Sequence, residues 1–199
     1  MSDQGTYRPF SYYQLMETSL RELLVEKGIV SDADINAEVE QMRTRSPERG
    51  ARVVARAWLD AQYKKRLLAN GTAACEELGL EIPALNLVVV ENTPTVHNAI
   101  VCTLCSCYPR VLLGIPPDWY KSRNYRSRMV REPRAVLAEF GLRIPDSVQI
   151  RVHDSTADMR YMVLPLRPQG TEGWDEARLA SLVTRDAMIG VAVPSAAGG

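Results

Sequence analysis

Neither sign of charge predominates in this chain, because its 24 basic and 24 acidic residues cancel. Without a net field there is no long-range pull toward nucleic acid or an anionic membrane surface, and neither is expected as a partner. No apolar run approaches the roughly 18–20 residues that span a bilayer. No signal peptide is recognisable at the start, so a cytoplasmic protein is expected, and disulfides are not. Histidine and cysteine are scarce. Outside one short stretch the sequence holds a single cysteine, Cys75, and its only histidines are His97 and His153. There is no second C-x-x-C, so the side chains for an ordinary four-ligand zinc site are missing. Internal repeats are absent too.

Against that scarcity, three cysteines crowd into Val101-Cys102-Thr103-Leu104-Cys105-Ser106-Cys107. C-x-x-C-x-C sets three thiols on one tight turn, and thiolates are soft donors that select zinc, copper(I), iron–sulfur or a late transition metal. The alternative reading is a buried, inert thiol cluster. It is disfavoured because adjacent loop thiols without a metal are exposed to oxidation. Three sulfurs need supplementing by something local. The backbone nitrogens of Ser106 and Cys107 lie between the last two sulfurs and, deprotonated, can complete a square beneath a metal. An amide gives up its proton only to a strongly Lewis-acidic ion, which argues for a trivalent metal over zinc.

A hydrophobic share of 46% suffices for a buried core. Met16, Leu20, Leu23 and Leu24 follow helical spacing, and Gly28 is placed to stop that helix. Ser31 and Asp34 resemble a capping pair ahead of a second stripe of Ile35, Val39 and Met42. Pro47 and Gly50 are expected to break the pattern, with Val53 opening the next amphipathic piece. Asp60 is expected to cap a helix that ends near Gly71. Residues 1–50 therefore read as a helical arm that packs on something else, residues 51–195 as the main domain, and residues 196–199 as a disordered tail. Strands are expected at 85–90, 99–102, 148–152, 159–164 and 189–193, and helices from Pro133 to Gly141 and over 175–184. The mixed order of elements predicts α+β. The cysteine motif falls at the end of a strand, where rigid scaffolds present chemistry. The run from Lys121 to Arg134 is basic and reads as a solvated or partner-facing surface.

The stretch 101–109, Val-Cys-Thr-Leu-Cys-Ser-Cys-Tyr-Pro, resembles the metal-binding motif of the nitrile hydratase α subunit and of the related thiocyanate hydrolase γ subunit. The likeness continues through 114–120, 125–128, 130–134, 160–165, 167–168, 170–174 and 183–185. It implies a helical arm followed by a layered α-β-β-α domain. It also implies one Co(III), or alternatively Fe(III), bound by Cys102, Cys105 and Cys107 and by the amides of Ser106 and Cys107. Cys105 would be a sulfinate and Cys107 a sulfenate, with one coordination position open. Thr103 and Tyr108 match the cobalt pattern. Arg160, Asp154 and Asp158 match residues that support the active site, although Asp158 stands where many members have glutamate, and a surface salt bridge is the plainer reading. The implied partners are one or more β-type subunits that bring arginines to the oxidised cysteines, and a cobalt-insertion activator.

Two departures bear on substrate. Arg110 stands where many nitrile hydratases have a tryptophan, and its fixed charge favours a polar or anionic substrate. The segment 81–85 lacks the Gly-x-Gln-Gly pattern often found ahead of this strand. Trp119 and Tyr120 are candidate pocket-lining residues, or simply core. Cys75, His97 and His153 read as structural. The expectation is a cobalt-type nitrile hydratase α subunit acting on a polar nitrile, with nucleoside-like nitriles such as toyocamycin as one fit. Thiocyanate hydrolysis and a non-catalytic metal-binding or redox-sensing role are the alternatives.

Overall fold

The computed structural model describes residues 11–82 and 86–196, so most of the expected tail and the departing segment at 83–85 lie outside the described residues. Two compact units divide the chain, Met1–Arg43 and Thr44–Gly199.

The first unit is a helix pair, α1 (Tyr12–Glu26) and α2 (Asp32–Arg43). Ser11 and Gln14 form a reciprocal capping box on α1. Gly28 follows α1 at φ 66. The Ser31 backbone and hydroxyl donate to Asp34 at 2.9 and 2.6 Å, and the Asp34 amide donates back to Ser31 Oγ. Arg21 and Asp32 pair at 2.6 Å between the helices. Neither helix has a buried residue, so the apolar stripe of Leu15, Met16, Leu20 and Leu23 stays exposed.

The second unit opens with α3 (Pro47–Leu59), α4 (Ala61–Ala69) and α5 (Gly71–Glu76). Here the structure corrects the sequence reading, because Pro47 and Gly50 belong to α3. Proline sits in the first turn, where a missing N–H costs nothing. Gly50 is there for packing, since a Cβ would meet Met188 Sδ at 2.7 Å and Leu113 Cδ2 at 2.8 Å. Asp60 caps α4 as expected, accepting from Gln62 and Tyr63 amides at 2.9 Å.

Next come β1 (Asn86–Glu91), β2 (Val96–Val101), α6 (Arg110–Leu113), α7 (Asp118–Lys121), α8 (Arg123–Met129), α9 (Pro133–Glu139), β3 (Gln149–Asp154), β4 (Met159–Leu164), α10 (Glu176–Ala180) and α11 (Arg185–Ile189). β1 pairs in parallel with β4, and β2 with β3. Helices α4 and α5 pack on β1, β2 meets β4 between the sheets, and α9 packs on β3. This is the expected α+β arrangement of helix, sheet, sheet and helix.

The expected strand at 189–193 is absent. Ile189 ends α11, and Gly190 turns the chain at φ 91. Short apolar runs do not separate a strand from a buried helix end, and Ile189 and Val191 are buried by packing with the core without pairing. Among the described residues no helix is long and apolar enough to cross a membrane.

Candidate metal centre

The register of the inner sheet builds the site. Val101 is the last residue of β2, and its partner in β3 is Asp154. The chain leaves the sheet at Cys102, which is fully buried, while Asp154 reaches across at the same end. Its carboxylate accepts from the Thr103 amide at 2.9 Å and from the Thr103 hydroxyl at 2.5 Å. The loop is held from the other side as well. Arg126 Nη1 donates to the Cys105 carbonyl at 2.8 Å, and the Tyr120 hydroxyl donates to the Cys107 carbonyl at 2.9 Å. Tyr125, from the same helix as Arg126, donates to the Ile100 carbonyl at 2.7 Å. At the tip, Leu104 is 89% exposed.

These ties fold the three thiols together. Cys102 and Cys105 sulfurs lie 3.5 Å apart, those of Cys105 and Cys107 3.2 Å apart, and all three fall within 4.8 Å of one another. The Cys105 amide points at Cys102 Sγ at 3.2 Å. Hydrogen bonding from Cys107, then from Cys102 and the Ser106 amide, lowers the Cys105 thiol to about 7. Burial and donation to Cys105 push Cys107 up to about 12, against the pull of the Arg160 charge. Hydrogen bonds from its neighbours thus favour the thiolate form of Cys105. Three convergent sulfurs flanking two backbone nitrogens fit a single small metal ion.

Cys105 and Cys107 open on a cleft of about 430 Å³, lined by Arg45, Cys105, Ser106, Cys107, Tyr108, Arg110, Val111 and Arg160. Arg160 is anchored by donating to the Thr156 and Met159 carbonyls, and its buried Nε has no hydrogen-bond partner among the described residues. Asp154 is bound to Thr103, not to Arg160. Asp158 is exposed, and its carbonyl accepts from the Asn86 amide at 2.9 Å. No described ion pair joins Arg160 to either acid. Of the candidate pocket residues, only Arg110 borders the cleft. Trp119 packs edge-on against Tyr125 and Phe140 with ring centroids 4.9 and 4.7 Å away, and Tyr120 is fully buried beneath the loop.

His97 meets the Gly190 carbonyl at 2.8 Å and His153 meets Asn98 Oδ1 at 2.9 Å. Cys75 is buried in α5, its thiol pushed up to about 12 by that burial. Sequence reasoning missed Arg45, which no local motif marks. It also missed the loop-holding roles of Tyr120, Tyr125 and Arg126, where the only hint was an aromatic and basic run soon after the cysteines.

The sequence pattern of the family described as nitrile hydratase, alpha chain, matches residues 11–192. A nitrile hydratase subunit alpha from Rhodococcus sp. is 52% identical, the match covering 87% of this chain and 88% of the relative. The thiocyanate hydrolase subunit gamma of Thiobacillus thioparus is 48% identical over 92% of this chain and 81% of its own length. The cobalt-containing nitrile hydratase subunit alpha of Pseudonocardia thermophila is 51% identical, with 87% and 86% covered. Among solved structures, a double mutant of the Fe-type nitrile hydratase from Comamonas testosteroni Ni1 superposes with a TM-score of 0.89 at 46% identity, covering 96% of this chain and 94% of that one. The fold and the three-cysteine loop thus define a class of mixed α+β chains with a candidate metal site at a strand end. The chain belongs to the nitrile hydratase alpha chain family.

Proposed function

We propose that this chain is the metal-holding catalytic α subunit of a cobalt-type nitrile hydratase, which adds water to a nitrile and releases the amide. The observation that carries this reading is the trio of sulfurs within 4.8 Å of one another, two of them, Cys105 and Cys107, lining a cleft. Cobalt(III), or alternatively iron(III), would be held by the sulfurs of Cys102, Cys105 and Cys107 and the amide nitrogens of Ser106 and Cys107. Such an ion supplies Lewis acidity toward the nitrile.

The chain's own side chains do the rest. Asp154 fixes the loop through Thr103, and Tyr120 and Arg126 hold its carbonyls, so the donors are preorganised. Arg160 lends positive charge to Cys107, favouring an anionic sulfur there. In this reading Cys105 is a sulfinate and Cys107 a sulfenate, and the sulfenate oxygen accepts a proton from the incoming water. The exposed stripe of α1 and α2 is assigned to a β-type partner subunit, which also brings arginines to the oxidised sulfurs. A cobalt-insertion activator would load the metal.

Co-expressed with its partner, the chain should carry cobalt and hydrate nitriles, while the isolated chain should not turn over. Peptide mass spectrometry should find the sulfinate on Cys105 and the sulfenate on Cys107. Stoichiometric zinc, or unmodified thiols, in a fully active complex would overturn the reading.

Thiocyanate hydrolysis is the second reading, favoured by Arg110 on the cleft wall and by the likeness to a thiocyanate hydrolase subunit. Under the first reading Arg110 makes the preferred nitrile polar, a nucleoside-like nitrile such as toyocamycin being one form. Arg110→Trp should shift preference toward apolar nitriles by about tenfold to a hundredfold in kcat/KM, the worth of a charge-assisted contact. If Arg110 instead serves assembly, the variant complex will be less stable and its polar-to-apolar ratio will not move.

A further inference from the structure

The basic run that follows the cysteine motif holds one arginine whose charge no acid answers. On α8, Arg128 is spent on Glu132 and Glu139, at 2.5 and 2.6 Å. Arg126, on the same helix, is half-buried and forms no ion pair among the described residues. Its Nε is buried there without a hydrogen-bond partner. A cation drawn partly out of water in this way is costly unless an opposite charge reaches it. What Arg126 does touch is the Cys105 carbonyl oxygen, to which its Nη1 donates at 2.8 Å. The placement is firm, because the neighbouring Tyr125 is buried and donates to the Ile100 carbonyl of β2 at 2.7 Å.

That carbonyl oxygen belongs to the peptide whose nitrogen is Ser106, one of the two backbone donors in the proposed set. Resonance joins the two atoms, so charge on the nitrogen is shared with the oxygen. For the nitrogen to bind, its N–H bond breaks and the proton passes to solvent. The electron pair left behind spreads over the nitrogen and the Cys105 oxygen, and the peptide is neither oxidised nor reduced. The contact with Arg126 then joins a cation to an anionic oxygen, and charge-assisted hydrogen bonds are roughly twice as strong as neutral ones. Tyr120 is the contrast. It also donates to a loop carbonyl, that of Cys107 at 2.9 Å. Its hydroxyl is neutral, however, and that oxygen is joined to the Tyr108 nitrogen, which is outside the proposed donor set. We infer that Arg126 is a positioning residue that carries the counter-charge for the Ser106 nitrogen as a metal donor. This rests on the donor set proposed above.

The test compares cobalt with zinc in the complex with its partner subunit, stripped of metal beforehand. Zinc leaves amide protons in place and is held by the sulfurs, so its affinity, read by competition with a chelator, reports whether the loop still closes. Cobalt is offered as cobalt(II) in air, and its uptake is followed by elemental analysis after a chelator wash. Arg126→Gln keeps a hydrogen-bond donor and loses the charge. It should slow cobalt uptake by about tenfold to a hundredfold and leave zinc affinity near the wild-type value. Arg126→Lys, which restores the charge, should recover most of the uptake. Tyr120→Phe, which removes a tie without removing a charge, should weaken both metals together. An equal loss of cobalt and zinc in Arg126→Gln overturns the counter-charge and leaves Arg126 as a loop anchor. Cobalt uptake at the wild-type rate in Arg126→Gln, no recovery in Arg126→Lys, or a cobalt-selective loss in Tyr120→Phe also overturns it. All of these leave the cobalt reading standing. A wild-type complex that takes up no cobalt overturns that reading and the counter-charge with it.

Discussion

Cys102→Ser will leave the complex without retained metal and without nitrile turnover. Cys102 is the innermost of the three sulfurs, fully buried where β2 ends, and its Sγ accepts the Cys105 amide at 3.2 Å. A serine hydroxyl is a hard, weakly acidic donor with a shorter reach, so it replaces neither the soft bond nor the backbone contact. Structural zinc sites, worth about 10–16 kcal/mol over four ligands, set the scale at roughly 3 kcal/mol for each ligand, or more than a hundredfold in affinity. The loss should be nearly complete because the remaining donors close no stable set. Elemental analysis of the purified complex measures it, and Cys75→Ala is the control, since Cys75 lies in α5 away from the loop. Full cobalt content in Cys102→Ser would remove this cysteine from the donor set.

Gly190→Ala should destabilise the second unit by about 3 kcal/mol or more. Gly190 sits at φ 91, where an L side chain is strained by roughly 1–2 kcal/mol. The added Cβ would also overlap the Asn98 carbonyl oxygen and stand 2.7 Å from Ala99 Cα. Both obstacles are backbone of β2, which cannot move aside cheaply. Asn98 is fixed by Asn92 and His153, and His97 is tied to the Gly190 carbonyl. For a domain of this size about 3 kcal/mol corresponds to roughly 6–12 °C in Tm, to be read by circular dichroism. A Tm within about 2 °C of wild type would show that β2 yields. Because β2 ends next to Cys102, metal content should fall along with stability.

Legibility in the sequence followed the range of each interaction. The cysteine spacing, the Asp60 cap, the alternation of β3 and the run of β4 were readable because each is set by residues within a few positions. Gly50 misled because its helix-breaking tendency is local, whereas the reason for it, Met188 and Leu113 filling the space a Cβ would need, is distant in sequence. The run at 189–193 looked like a strand because burial alone makes a segment apolar, and only Gly190 carried the turn. At the site, the three cysteines that meet were plain. The carboxylate clamp on Thr103 was half visible, since Asp154 was singled out without its partner. Arg45 was invisible, because its place in the cleft depends on packing against Gly114.

The pairing of Val101 with Asp154 also sets an order of events. The residue that clamps the sulfur loop lies 51 positions beyond Thr103, in a strand that joins β2 in parallel and so closes a long connection. During synthesis the cysteines emerge well before their clamp. The nascent thiols pass through a period in which they are close in sequence and unheld in space, so in the proposed metal reading loading belongs after β3 has docked. In that reading the thiols have to stay reduced and free of competing ions for that interval, a demand on timing that a motif with its clamp in the same hairpin would not impose.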